Sequence, residues 1–251
     1  MRRAIPAAGK LLASVLRVLS MNFGEATFRD REDAGRQLAE RIVQYRAEDP
    51  MVLALPRGGV PVGYEVARTL QAPLDIFIAR KLGAPNQPEL GIGAVAQDGT
   101  RVVNERIVRK IDVSEDYVER VAAEETAEAE RRLKLFRGDR PEFEIRERTA
   151  ILVDDGIATG MTTRAAIQAL RRQNPRRLIL AVPVCAAQTA EWLRQEVDEL
   201  IYLEAPSNLV AIGFWYQNFE QTSDEEVIEL LERARYEQEE HGANGPDRRM
   251  S

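Results

Sequence analysis

Cysteine and histidine are nearly absent: the 251 residues contain one of each, Cys185 and His241. One cysteine cannot build a disulfide framework, which fits a reducing cytoplasm. Cys185 lies in the apolar run "LILAVPVCAA", where it reads as a small buried hydrophobe rather than a reactive thiol. His241 lies in the polar stretch "YEQEEHGANGPDRRMS", so neither Ser-His-Asp chemistry nor a His/Cys zinc site has raw material. Any metal would need oxygen ligands, the preference of magnesium. No apolar run approaches the ~20 residues of a membrane-spanning helix, so stable membrane insertion is not expected. The formal net charge is -6, so no global basic field recommends nucleic acid as a partner. An anionic ligand must be met by local groups.

What is present suits one globular domain with appendages, since 44% of residues are hydrophobic and 30% charged. Residues 1–20, "MRRAIPAAGKLLASVLRVLS", carry Arg2, Arg3, Lys10 and Arg17 and no acid. Arg17 interrupts the apolar stretch that a secretory signal requires. The segment reads as a basic extension outside the fold, with a membrane-surface helix as the alternative. The folded domain is expected over residues 21–238, followed by a disordered tail at 239–251.

From about residue 30, helical and strand-like patterns alternate. "DREDAGRQLAERIVQYR" has helical spacing, "MVLAL" reads as a doubly covered strand, "PRGGV" as a loop and "PVGYEVARTL" as a helix. "LDIFIARKL" reads as one strand, and the Gly- and Pro-rich residues 83–104 as a projecting loop ending in a β-ribbon around Asp98-Gly99. Asp112 and Glu115 suggest a capping box opening a long charged helix. Then follow strand "TAILVDD", helix "TTRAAIQALRR", strand "RLILAVPV", helix "TAEWLRQEV", strand "ELIYLEA" and a last helix "SDEEVIELLERARYEQ". This alternation implies an α/β fold, Rossmann-like, with a mostly parallel sheet and helices on both faces. Ligands of such sheets bind at the strands' carboxyl ends.

Three turns at predicted strand ends are chemically rich: "PRGG", "ARKLG" and "DDGIATGMTT". In the last, a tight turn around Gly160 opens a helix whose backbone N–H groups form an anion cradle. Thr159, Thr162 and Thr163 add hydroxyl donors. The cradle does not explain Asp154 and Asp155, because carboxylates repel phosphate; vicinal sugar hydroxyls suit them. A ligand carrying a diol and a phosphate a few atoms apart is a ribose 5-phosphate. In "PRGG", Gly58 and Gly59 permit close backbone approach and Arg57 offers a planar fork for phosphate oxygens. Arg80 and Lys81 become counter-charges beside a second phosphate site. The bland alternatives, Asp155 as a helix cap and "RGG" as a structural turn, explain each turn singly but not all three together.

"ILVDDGIATGMTT" resembles the signature of the type I phosphoribosyltransferases, and the resemblance extends over about residues 25 to 232 through "LPRGG", "ARKLGAP", "ELGIGAV" and "GFWYQNFEQTSDEEV". It is most similar to a bacterial group of predicted phosphoribosyltransferases of unassigned acceptor. The resemblance implies that the donor is 5-phosphoribosyl-1-diphosphate (PRPP), with Asp154 and Asp155 on the ribose diol. Gly156 and Ala158, Thr159, Gly160, Met161, Thr162 and Thr163 would hold the 5-phosphate. Arg57, Gly58 and Gly59 would form the diphosphate loop, whose backbone in this family often contains a non-proline cis peptide. Arg80 and Lys81 would meet diphosphate oxygens, and residues 83–104 would be a flexible loop closing the site. Magnesium (Mg2+) would be held mainly through PRPP, with Asp154 and Asp155 nearby. A hood over about residues 205–220 would contact the acceptor, with Phe214, Trp215 and Tyr216 available for stacking, and homodimers are common in the family.

Departures narrow the acceptor. Position 158 is alanine, where hypoxanthine-guanine enzymes carry an aspartate. Residues 83–104 contain no lysine, whereas orotate enzymes use one there; Arg101 is a poor acid because it does not deprotonate. Around "DDGIATG" the chain reads most like the adenine type, without a matching purine-recognition segment. Lys81 and Glu89 are the candidate catalytic groups beside the aspartates. The expected activity is phosphoribosyl transfer to a small nitrogenous acceptor with release of diphosphate. The competing classes are a PRPP- or nucleotide-sensing protein without turnover and an ordinary α/β interaction module.

Overall fold

A computed structural model describes residues 26–142 and 144–243. The predicted extension at residues 1–20 lies outside them. Five strands form one parallel sheet: β1 (Met51–Ala54), β2 (Leu74–Ile76), β6 (Thr149–Val153), β7 (Arg177–Val184) and β8 (Glu199–Glu204), in the order β2-β1-β6-β7-β8. Alternate residues of the central strands feed two separate cores. Val52, Ala54, Ile151, Val153, Ile179 and Ala181 face one side, whereas Met51, Leu53, Ala150, Leu152, Leu178 and Leu180 face the other. Burial on both faces is why these strands read as unbroken apolar runs.

The first core is covered by α1 (Arg31–Ile42), α2 (Gly59–Leu70) and α7 (Asp224–Ala243). The second is covered by α5 (Met161–Arg172), α6 (Ala187–Leu193) and the ribbon described below. Helices on both faces of a parallel sheet are the predicted architecture. The strand order reverses between β1 and β6, so the crevice between their carboxyl ends is the switch point at which such sheets bind ligands.

Four expectations are corrected. "LDIFIARKL" is not one strand: β2 ends at Ile76, and β3 (Ala79–Ala84) belongs to a second sheet, antiparallel, with β4 (Gln87–Ala96) and β5 (Arg101–Val103). Gln97 draws the chain across, its side-chain oxygen accepting from Ile78 N at 2.9 Å and its own N–H donating to the Ile78 carbonyl at 2.9 Å. Residues 83–104 are therefore ribbon almost throughout rather than a loop ending in one, with exposed turns at residues 86–89 and 98–99. The expected turn at Asp98-Gly99 is present, with Gly99 at φ +79°.

The long charged helix starts later than predicted. Asp112 sits at φ +53° outside it. Ser114, not Asp112, caps α4 (Glu115–Arg137) by accepting from Tyr117 N, and a short α3 (Glu105–Lys110) precedes it, capped by Asn104. Leu82, Ala84, Ile92 and Val95 of the ribbon bury against Val118 and Ala122 of α4. The last helix runs past Glu239 to Ala243, correcting the tail predicted from residue 239; residues 244–251 lie outside the described residues.

Candidate active site

The turn after β1 and the turn after β6 are packed directly against each other. Leu55 N donates to the Val153 carbonyl at 2.9 Å, continuing the β1–β6 ladder. The chain then reverses through Pro56–Arg57, whose peptide bond is cis as the resemblance implied. A Cβ on Gly59 would lie 2.9 Å from the Val153 carbonyl oxygen and 3.0 Å from Asp154 Cα; one on Gly58 would lie 2.0 Å from Asp155 Oδ2. Only glycines admit this approach. Helix α2 begins at Gly59 itself, two residues before the predicted Pro61 start.

Asp154 and Asp155 stand at the exit of β6. Asp154 Oδ1 accepts from Asp155 N at 2.8 Å. Burial, and then the neighbouring Asp155 charge, push the Asp154 carboxyl well above the usual aspartate range. Burial also raises Asp155, but the Arg31 guanidinium opposes it. Arg31 Nε donates to Asp155 Oδ2 at 2.8 Å, and the two side chains are 12% and 16% exposed, so the pair is largely shielded from water.

The turn from residue 156 to residue 160 is clamped from below. Ile157 bridges Cys185, donates to the Val184 carbonyl at 2.9 Å and accepts from Ala186 N at 2.9 Å. Thr189 Oγ1 donates to the Ala158 carbonyl at 2.6 Å. Gly160 adopts φ +69° and precedes α5, where a Cβ would meet Thr189 Cγ2 at 2.7 Å. Ala158 and Thr159 are left exposed, Met161 and Thr162 half-buried, and Thr163 buried. The first N–H groups of α5 have no intrahelical partners and lie behind this exposed turn. Cys185 is buried below it, its thiol pushed up to about 11 by burial, in keeping with a packing role.

The three cations assigned to the diphosphate each have an acid partner. Arg57 Nη1 lies 3.5 Å from Asp224 on α7, Arg80 pairs with Glu125 on α4, and Lys81 Nζ lies 3.0 Å from Glu89 across the β3–β4 hairpin. Lys81 is half-exposed and Glu89 is 95% exposed, so this last pair ties the hairpin tip to the middle of β3.

The hood places its three aromatic residues differently from one another. A short 3-10 turn, Ile212–Trp215, ends at Tyr216, which is 4% exposed and lies between Phe28 (ring centres 5.3 Å apart) and Phe219 (4.9 Å, stacked). Its hydroxyl donates to the Asp155 carbonyl at 2.6 Å. Tyr216 therefore braces the aspartate turn and has no open face for a ligand, unlike the expected stacking role. Phe214 is 46% exposed and Trp215 half-buried. Gly156 permits the hood's approach, since a Cβ there would lie 2.6 Å from Ile212 Cγ2.

Arg31, Phe219 and Asp224 escaped the sequence reading. Arg31 and Asp224 each open a helix among other charges, which reads as a solvated surface. Arg31 meets Asp155 across 124 residues of chain, a pairing that no local pattern announces.

Two glycine turns meet at the switch point of a parallel α/β sheet, with a shielded carboxylate pair between them. The chain belongs to the phosphoribosyl transferase family, whose phosphoribosyl transferase domain model matches residues 27–217. Two Mycobacterium tuberculosis proteins, "Putative phosphoribosyl transferase Rv0571c" of strain H37Rv and "Putative phosphoribosyl transferase MT0597" of strain CDC 1551, are each 44% identical over 216 residues. The match covers 86% of this chain and 49% of theirs, so the chain spans about half the length of these curated relatives. The solved structure of TT1426 from Thermus thermophilus is 39% identical, with a TM-score of 0.69, over 81% of this chain and 97% of that one. No described helix is long and apolar enough to cross a membrane.

Proposed function

We propose that this protein is a phosphoribosyltransferase that takes PRPP with magnesium as donor, transfers the 5-phosphoribosyl group to a small nitrogenous acceptor and releases diphosphate. The observation that carries the proposal is the contact between Gly58 and Asp155, which joins a backbone turn suited to one phosphate to the carboxylate pair suited to a ribose diol. The exposed turn at residues 158–159 ahead of α5 supports the same reading, since the start of a helix suits a 5-phosphate.

In this reading Asp154 and Asp155 accept the ribose hydroxyls and fix the ring, so that C1 faces the acceptor side under the hood. Arg57, Arg80 and Lys81 exchange their carboxylate partners for diphosphate oxygens and stabilise the charge that grows on the leaving group. Lys81 and Glu89 move together because they pair across one hairpin. That hairpin would act as the lid, excluding water from an activated sugar, with Glu89 as its acid or base. The described residues contain no cluster of three or more metal-ligating side chains. A magnesium ion held chiefly by the donor fits this donor set, and it would supply charge neutralisation of the diphosphate. Ala158, where hypoxanthine-guanine enzymes carry an aspartate, speaks against a 6-oxopurine, and the exposed Phe214 suits a flat nitrogenous acceptor such as another nucleobase.

Calorimetric titration of PRPP, with and without magnesium, into the wild type and an Asp154→Asn/Asp155→Asn double variant tests the donor site. Magnesium-dependent binding that the double variant loses is expected. A folded wild type that binds no PRPP overturns the proposal, and binding without diphosphate release across a panel of bases and amines reassigns the protein as a sensor.

A further inference from the structure

We infer that Arg31 is a positioning residue of this site, holding the Asp155 carboxylate in place and tying it to the hood. The inference rests on the donor reading above, because it gives that carboxylate the ribose.

A closed circuit of contacts supports it. Arg31 Nε engages Asp155 Oδ2 at 2.8 Å, and Arg31 Nη1 donates to the Glu220 carbonyl at 2.6 Å. The guanidinium carbon lies 3.9 Å from the centre of the Phe219 ring. Phe219 stacks on Tyr216, with 29° between the ring planes, and Tyr216 returns to Asp155 through its hydroxyl bond to the backbone carbonyl. Asp155 is thus gripped at both ends, its carboxylate by Arg31 and its carbonyl by Tyr216, and both grips lean on one phenylalanine.

The chemistry of the circuit requires arginine. A planar fork serves a carboxylate and a carbonyl at once while its face lies on a ring; an ammonium group can do only part of this. The pair is shielded, so a carboxylate deprived of its partner is left buried and uncompensated. Arg31 engages Oδ2, the oxygen that Gly58 approaches, and so fixes the carboxylate against the β1 turn. A donor that orders Asp155 therefore also orders the hood, and the acceptor side is assembled when the sugar is in place.

The test uses the full chain with Arg31→Met, which keeps the stem and removes the fork, and Arg31→Lys, which keeps the charge. Hydrogen–deuterium exchange is read at residues 154–160 and 212–222, and PRPP affinity by calorimetry with magnesium. Arg31→Met is expected to exchange faster in both segments and to bind PRPP about tenfold or more weakly, the size of one lost charge-assisted hydrogen bond. Arg31→Lys should recover part of the affinity, which a purely structural role would not require. A folded Arg31→Met protein with wild-type exchange in both segments overturns the link to the hood. Faster exchange with unchanged PRPP affinity overturns the positioning role. If Arg31→Met does not fold, Arg31→Lys and Phe219→Leu are read for the same two quantities. Failure of the wild type to bind PRPP sinks the functional reading and the donor role of Arg31 with it, while exchange still decides separately whether Arg31 holds the hood.

Discussion

Gly58 and Asp155 are in contact at the centre of the site: a single methyl group added to Gly58 would fall 2.0 Å from Asp155 Oδ2 and 2.6 Å from its Cγ. The backbone torsion at Gly58 is ordinary, φ -61°, so its glycine answers to space and not to conformation. Gly58→Ala must displace the carboxylate, the Arg31 partner 3.0 Å away, or the whole β1 turn. The expected cost is about 1–3 kcal/mol of stability, as for overpacking elsewhere, together with loss of measurable PRPP binding. Urea unfolding and calorimetry check the two separately. Wild-type affinity in a Gly58→Ala protein would show that the two turns do not form one site.

Asp154 sets stability against function. Its carboxyl titrates well above the usual range because burial and Asp155 disfavour its charge. A carboxyl that holds its proton more tightly when folded favours the folded state below the ordinary aspartate pKa. That advantage drains away as the pH rises through the folded-state value. Above that window the buried charge opposes folding. Asp154→Asn removes the charge with little change of shape, so the ligand-free variant should be more stable than wild type at neutral pH. The difference should shrink as the pH falls into the ordinary aspartate range. PRPP binding should weaken at the same time. Thermal unfolding from pH 4 to 8 reads the trend, and a variant less stable than wild type at neutral pH would contradict it.

Much of the fold was legible because burial leaves a plain mark. "RLILAVPV" coincides with β7 from Arg177 to Val184, since a strand covered on both faces is apolar along its length. The carboxylate pair and the glycine turns were legible because their chemistry is local, each motif being continuous in the chain. The transfer at Phe77–Ile78 into the ribbon was not legible. It depends on Gln97, 19 residues away from Ile78 and chemically indistinct from a surface glutamine. Arg31 and Tyr216 were missed or misread for the same reason, as both act through partners supplied by distant segments. Phe28, whose N–H donates to the Trp215 carbonyl, makes Tyr216 part of a small core of its own.

Tyr216 offers a clean separation of bracing from stacking. Tyr216→Phe keeps the ring between Phe28 and Phe219 and removes only the hydroxyl that donates to the Asp155 carbonyl. The part-buried carbonyl loses that donor, so about 1 kcal/mol of stability should be lost. Donor affinity should fall with it, because the lost bond holds the turn that carries Asp155. An acceptor-stacking role for the ring predicts the opposite pattern, with donor binding and stability both unchanged by the missing hydroxyl. Urea unfolding and PRPP calorimetry on one preparation distinguish the two.

Asp224 occupies the guanidinium that the proposed diphosphate site would use. Its carboxylate lies 3.5 Å from Arg57 Nη1 at the first turn of α7, and the two side chains are 43% and 28% exposed. At such exposure an ion pair contributes no more than about 1 kcal/mol. Removing it should therefore cost little stability, while a phosphate arriving at Arg57 no longer displaces a bound acid or meets its repulsion. Asp224→Asn is expected to tighten PRPP binding by about two- to fivefold at low salt. Because the competing charge is partly solvated, the gain should fade as ionic strength rises and the Debye length drops below about 10 Å. Affinities measured at low and at high salt check both statements. A gain that persists undiminished at high salt would place the effect in the packing of α7 instead, and no gain at low salt would remove Arg57 from the diphosphate site.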